Sequence, residues 1–307
     1  AAAAAPTAEQ VKAESARLNA WFEKKDEEQV HFSPIQLTMV GRKELYDQID
    51  DMSEAGMRKQ LAWQEASVKE MEAGFKYKTL DPETQLSWDL WKKQYENARD
   101  GMAFLGNGYP FEQMGGVQSF APTFLINFHK VADENDYLAY IARLQKLGTA
   151  FDQSLERARA SSVAGIRPPK FAFEGVIDQS GKIIAGAPFD GGKDSALWAD
   201  AQAKADALAK DGKVSALWAD AQAKADALAK DGKVDAERAT ALKAEARKAL
   251  LDNVKPAYER IIAFAREELP KAAVNPSGVG SSHSNGAAYY THQLKMNTST
   301  GMSADEI

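Results

Sequence analysis

Four histidines, His31, His129, His283 and His292, are the imidazoles available to this chain of 307 residues, and their spacing bounds its metal chemistry. A zinc-peptidase helix uses HExxH, which sets two imidazoles on one helical face with a glutamate beside the metal-bound water. No pair here has that spacing, and His283 and His292 are separated by a loop, at no recognised ligand interval. Cysteine is absent, which removes thiol nucleophiles, disulfides and thiolate zinc sites together. Neither a GxSxG elbow nor a GxxxxGK[ST] phosphate loop is present. Gly106-Asn107-Gly108 and Gly115-Gly116 are too short for a dinucleotide fingerprint. Carboxylates are plentiful but fall on polar helix faces, where solvation accounts for them, and no acid–base pair stands out. The expectation is a chain that binds no metal alone and has no catalytic residue of its own.

Two stretches are unusual enough to suggest a binding role. One is Gln113-Met114-Gly115-Gly116-Val117, followed by Pro122, Phe124-Leu125 and His129. The other runs Asn285-Gly286-Ala287-Ala288-Tyr289-Tyr290, then Leu294 and Thr298-Ser299-Thr300. Read by itself, a histidine beside an apolar face is a satisfied core residue, and paired tyrosines are packing and hydrogen-bonding groups.

The elements that must position these stretches are helical. Thr7 and Gln10 have capping-box spacing, Ser33-Pro34 opens a short helix that Gly41 ends, and Asp81-Pro82-Glu83 opens another. From Ser53, Met57, Leu61, Val68, Met71 and Phe75 recur at helical intervals; after Pro82, Leu86, Leu90, Trp88, Trp91 and Tyr95 do the same, and all are expected in the core. Residues 101–116 read as a long loop. A helix is expected from about Pro122 to Val131, and another after Asp133 with Tyr137, Ile141, Leu144, Phe151 and Leu155 on one face. Lys182 to Ala185 is a candidate short strand, but no stretch alternates long enough for a large sheet. Asp235 and Pro256 open the last long helices, and 274–286 is loop.

Residues 195–214 recur unchanged at 215–234, a tandem identical repeat of 20 residues. At about 100° per residue, 20 residues turn the apolar face by roughly 200°, so two helices joined at Asp211-Gly212 fit better than one rod. The repeat reads as an inserted surface helix in duplicate, without chemistry.

Acidic residues outnumber basic ones 44 to 38, for a net charge of −6, with the cations scattered among the acids. That balance argues against a nucleic-acid partner. No apolar run is long enough to span a membrane. Ala1 to Ala5, followed by Pro6-Thr7, fit the region after a removed signal peptide, which points to the periplasm or cell envelope. Ser303 and Glu306 again have capping-box spacing with only Ile307 behind them, so a partner segment is expected to follow, in the same chain or as a separate one.

QMGGV at 113–117, PTFLINFH at 122–129, DYLAYIARLQKL at 136–147, Gly165 with Pro168-Pro169-Lys170-Phe171, GAAYYTHQLKMNTST at 286–300 and SADEI at 303–307 occur in an order that resembles the bacterial family called domain of unknown function 885, treated as zinc metallopeptidases and often lipoproteins. The resemblance implies a mostly α, helical gluzincin-like (metallocarboxypeptidase-like) architecture, of which residues 1–307 form the front portion. It also implies zinc in the complete protein, a downstream zinc-bearing segment as partner, and a peptide substrate. His129, Tyr289, Tyr290, Gly115 and Gly116 would then help to wall the substrate cleft. The competing reading is a non-catalytic helical interaction protein of the envelope.

Overall fold

A computed structural model describes residues 5–212, 233–298 and 300–307. It is mostly helical, and among the described residues the only β-type pairing is an isolated bridge between Ala187 and Asp194. The chain divides into two compact units. No helix among the described residues is long and apolar enough to cross a membrane.

Unit 1 comprises Ala1–Ser33, Ser53–Gly108 and Ser277–Ile307. Its helices α1 (Ala8–Val30), α3 (Glu54–Gly74) and α4 (Pro82–Gly101) start where side chains can satisfy free amides. Thr7 and Gln10 form the complete capping box, at 3.3 and 2.8 Å, and Ser53 and Asp81 accept from Gly56 and Thr84. Leu18, Met71, Leu80 and Trp88 form the buried core, with Trp21, Phe22, Phe75 and Trp91 packed against it. Leu86 and Leu90, expected in that core, are instead 59% and 54% exposed. Trp88 takes the inward position of α4, and the two leucines lie on other faces. The chain after α4 tightens into a 3₁₀ segment, Met102–Asn107, so only the later part of 101–116 is irregular. The segment near the C-terminus forms a four-residue helical turn, α11 (Val279–Ser282), and then α12 (Gly286–Thr298).

Unit 2 comprises Pro34–Met52 and Tyr109–Pro276. After α2 (Pro34–Met39), Gly41 at φ +83° lets the Arg42 amide reach the Leu37 carbonyl at 2.9 Å. Helix α5 is Val117–Asn127 rather than a helix from Pro122, and carries Pro122 inside it. A proline cannot donate to the carbonyl four residues back, here Gln118. The Tyr258 hydroxyl donates to that carbonyl instead, at 2.7 Å, so the interior proline leaves no orphan acceptor.

Helix α6 (Glu134–Val163) is the spine of this unit, capped by Asp133. Helix α7 (Lys170–Ile183) takes up the residues proposed as a strand; Lys182 lies in its last turn and Ala185 just beyond it. Helix α8 (Ala196–Lys210) is the first copy of the repeat, capped by Ser195. It is not a surface helix. Leu197, Ala201, Ala205 and Leu208 are buried in the core with Leu242 and Ala246 of α9 (Lys233–Ala249). Alanine at every fourth position lets two helices approach closely. The second copy, 215–234, falls almost wholly outside the described residues. Helix α9 passes through a π segment, Leu250–Val254, into α10 (Lys255–Glu268), with Pro256 in its first turn, where a missing amide costs least.

Candidate functional site

The two unusual stretches fold in different units. In unit 1, the 3₁₀ segment after α4 meets the loop before α12. Asn107, buried, and Asn285 exchange a reciprocal pair of amide hydrogen bonds at 2.8 and 2.9 Å. The second Asn107 amide hydrogen faces Nδ1 of buried His283 at 3.4 Å. All the side-chain groups of Asn107 are thereby used. Three residues earlier, the Phe104 ring stacks on His292, with centroids 4.9 Å apart, and tilts against Tyr289 at 5.8 Å.

Gly286 is required at this junction. A Cβ there would lie 2.0 Å from the Val279 carbonyl oxygen, so α12 can start only where no side chain intervenes. Beyond it, Gly286 is the sole buried residue of α12, and Tyr290 is 45% exposed. The result is a fixed platform of amides and aromatic rings, with Tyr290 exposed next in sequence to Tyr289. Such groups can accept, donate and stack. Further along, the Glu306 carboxylate accepts from the Ser303 amide at 2.8 Å, and Ala304 to Glu306 form a turn.

In unit 2, the Glu112 carboxylate accepts from the amides of Met114, at 2.7 Å, and Gly115. Gln118 donates to the Glu112 carbonyl at 2.6 Å and to Gln179 at 2.9 Å; Gln179 returns a bond to the Gln113 carbonyl at 2.7 Å. These bonds clamp the turn onto α7 and leave Met114 86% exposed at its tip. A Cβ on Gly116 would lie 2.2 Å from Gln118 Oε1 and 2.6 Å from the Glu112 backbone, whereas one on Gly115 would meet only the Glu112 side chain, at 3.4 Å. Gly116 is therefore a packing necessity, and Gly115 is exposed.

His129 does not reach a surface. It is fully buried just after α5, and both ring nitrogens are committed: Nε2 donates to the Asp136 carbonyl and Nδ1 accepts from Arg143, each at 2.8 Å. Tyr46 stacks on its ring at 4.2 Å. Burial and the adjacent guanidinium depress its pKa to about 3, so it is neutral in the fold. Arg143, also fully buried, donates further to the carbonyls of Gln48 and Pro34 and to the Thr38 hydroxyl. Burial among neutral acceptors lowers its pKa to about 10. As a member of a cleft wall His129 is thus corrected: it ties α2 and the segment after it to α6.

Of the residues singled out in the sequence, only Tyr289 and Tyr290 lie together at an open surface. Asn107, His283, Asn285, Phe104 and His292 were not singled out as a group. Glycine brackets in Gly106-Asn107-Gly108 and Asn285-Gly286 were their one local signal.

The family described as "Bacterial protein of unknown function (DUF885)" matches residues 34–307. No curated protein matches. Among solved structures, the crystal structure of a protein from Colwellia psychrerythraea, provisionally described as a lipoprotein, is similar, with a TM-score of 0.66 at 17% sequence identity. The similarity covers 88% of this chain and 43% of that one, so the chain spans less than half the length of that protein. At such identity the likeness concerns the fold.

Proposed function

The chain belongs to the bacterial DUF885 family, and on that footing we propose that it is the helical front portion of a zinc-dependent peptidase of the cell envelope, contributing scaffold and one wall of a peptide cleft. The observation that carries this reading is the platform of Asn107, Asn285 and His283 beside Phe104, Tyr289 and His292, with Tyr290 exposed next to it. A peptide backbone offers neutral N–H and C=O groups, and neutral amides and phenols recognise those without charge. The envelope location is supported by the description of the Colwellia protein as a lipoprotein.

Neither buried histidine fits a zinc ion. His129 has both nitrogens engaged, and His283 presents Nδ1 to Asn107. The role proposed for these residues is binding and positioning, with metal, water-activating glutamate and ligands supplied by a further zinc-bearing segment.

The test uses the full gene product against a quenched-fluorescence peptide library, with and without a zinc chelator. Expected are chelator-sensitive hydrolysis and an increase in KM of about tenfold for Tyr290→Ala, with kcat little changed. Absence of hydrolysis, or an unchanged KM, would overturn the reading. Peptide binding without cleavage would favour a non-catalytic interaction protein.

A further inference from the structure

Unit 1 carries a second surface feature, a groove of about 390 Å³ between α1 and α4. On α1, Asn19, Phe22, Glu23 and Asp26 line it, the i, i+3, i+4, i+7 stripe of a single helical face. On α4, Ser87, Leu90, Trp91 and Gln94 line it at the same spacing. Phe22 and Trp91 form an aromatic floor, with ring centroids 5.4 Å apart, and the Trp91 indole is fixed by donating to Ser67 Oγ at 3.0 Å. Leu90 and its neighbour Leu86, one turn away, are the two exposed leucines that should have been core.

The charges are one-sided. Glu23 and Asp26 are the charged residues of the lining, and no cation lines the groove. Elsewhere on the same helix Glu14 is paired with Arg17, and Lys25 with Glu28 and Glu70. Among the described residues neither Glu23 nor Asp26 has a hydrogen bond or an ion pair. Partial burial raises the Asp26 carboxyl above the usual aspartate range, with no partner to offset it. Half of the groove is built by α1, which lies outside the residues matched by the family, and half by α4, which lies within them.

We infer that this groove binds a peptide segment that places a lysine or arginine beside an apolar side chain. The cation would lie between Glu23 and Asp26 over the aromatic floor, and the apolar neighbour would cover Leu90 and Leu86. Both requirements come from the groove: two unpaired carboxylates ask for a positive charge, aromatic faces attract a cation further, and two exposed leucines ask for cover. A volume near 400 Å³ lies in the usual range of ligand sites, about 300–1,000 Å³, and suits one or two side chains. This inference does not depend on peptidase activity.

The experiment is fluorescence anisotropy of the chain with a labelled hexapeptide of alternating leucine and lysine. Glu23→Gln with Asp26→Asn is the decisive variant, because both groups are without partners and their loss leaves the fold intact, as thermal unfolding will verify. The expected result is saturable binding, weakened at least tenfold in the double variant and severalfold in Leu90→Ser. A hexapeptide with glutamate in place of lysine should not bind. Equal binding to wild type and double variant, or no saturation, overturns the inference. So does stoichiometric uptake of calcium or magnesium at Glu23 and Asp26 that excludes the peptide, since the groove would then be a cation site.

Discussion

The two units each build a polar cluster around a buried histidine, and the clusters differ in charge and in closure. In unit 2, Arg143 brings a formal charge into the buried interior, and its donors go to His129, Gln48, Pro34 and Thr38. In unit 1, Asn107 and Asn285 satisfy each other with neutral bonds, and the ring surface beside them stays accessible. A charge can be buried only if its surroundings are saturated, and a saturated cluster has nothing left to offer a ligand. A neutral cluster tolerates partial exposure. The difference shows how histidine, tyrosine and amide groups can serve as internal fastening in one place and as a recognition surface in another.

The strongest way to break this comparison is Arg143→Met. It removes the Arg143 donors to the Gln48 carbonyl, the Thr38 hydroxyl and the His129 imidazole nitrogen in the interior of unit 2, while the Pro34 carbonyl keeps the Thr38 hydroxyl as donor. Each buried acceptor left without its partner costs about 1–3 kcal/mol, and with several affected urea unfolding should report a decrease of at least about 3 kcal/mol. Arg143→Lys should recover little, because an ammonium cannot reproduce the planar fork of donors. A change below 1 kcal/mol, about the net value of a single hydrogen bond, would mean that the cluster is not fastening the segment after α2.

Acid should act on the same cluster next. His129 titrates near 3 in the fold against 6.5 when free, so the unfolded chain binds more protons between those values. Stability is therefore fully present above pH 6.5 and is lost as pH falls towards 3. At about 1.4 kcal/mol per pH unit, roughly 2 kcal/mol should disappear between pH 6.5 and 5. Glu268 does not interfere there. Burial alone would raise its carboxyl, but bonds from Lys271, Ser162 and Arg167 outweigh that and hold it at about 2, so its contribution is lost only as pH falls from 4.5 towards 2. Urea midpoints at pH 7, 6 and 5 check the slope, and His129→Asn should flatten it.

Much of the fold was legible because helices announce their ends locally. Thr7, Ser53, Asp81, Asp133 and Ser195 all cap as their neighbours imply. The misreadings have physical causes. Pro122 suggested a helix start, but Tyr258, remote in sequence, supplies the hydrogen bond that permits it inside the helix. Leu86 and Leu90 fitted an apolar stripe, but Trp88 occupies the face that unit 1 buries. The first copy of the repeat looked like a surface helix because identity between copies says nothing about burial. At the candidate site, Tyr289 and Tyr290 were visible as a pair, while Asn107 and Asn285 were not, since their contact joins segments far apart in sequence. Periodicity cannot find a contact of that kind.

Unit 1 should respond more gently than unit 2. Asn107→Ala removes both amide bonds to Asn285, which is only half-buried, so water can replace its lost partner. A loss of about 1–2 kcal/mol is expected, confined to the junction of the 3₁₀ segment and α12. Hydrogen exchange is the suitable measurement: amides of α12 should exchange faster while those of α6 are unchanged. Equal acceleration in both helices would show that the junction supports the whole molecule, and the contrast between the clusters would fail.

The smallest effect should come from His292 of unit 1, and it sharpens the contrast most directly. His292 is half-buried and stacks on the Phe104 ring at 4.9 Å. A stacked aromatic pair adds about 0.5–1.5 kcal/mol beyond its area, and partial exposure places His292→Ala at the lower end of that range. His292→Phe preserves the stack and should be neutral. His129→Ala removes an acceptor from buried Arg143 and a donor from the Asp136 carbonyl, and should cost at least about 2 kcal/mol. Thermal unfolding of the three variants at pH 7, where His129 is neutral, places the two histidines on one scale. If His292→Ala proves as damaging as His129→Ala, the open cluster is as much internal fastening as the closed one, and Tyr290 loses its claim to flank a binding surface.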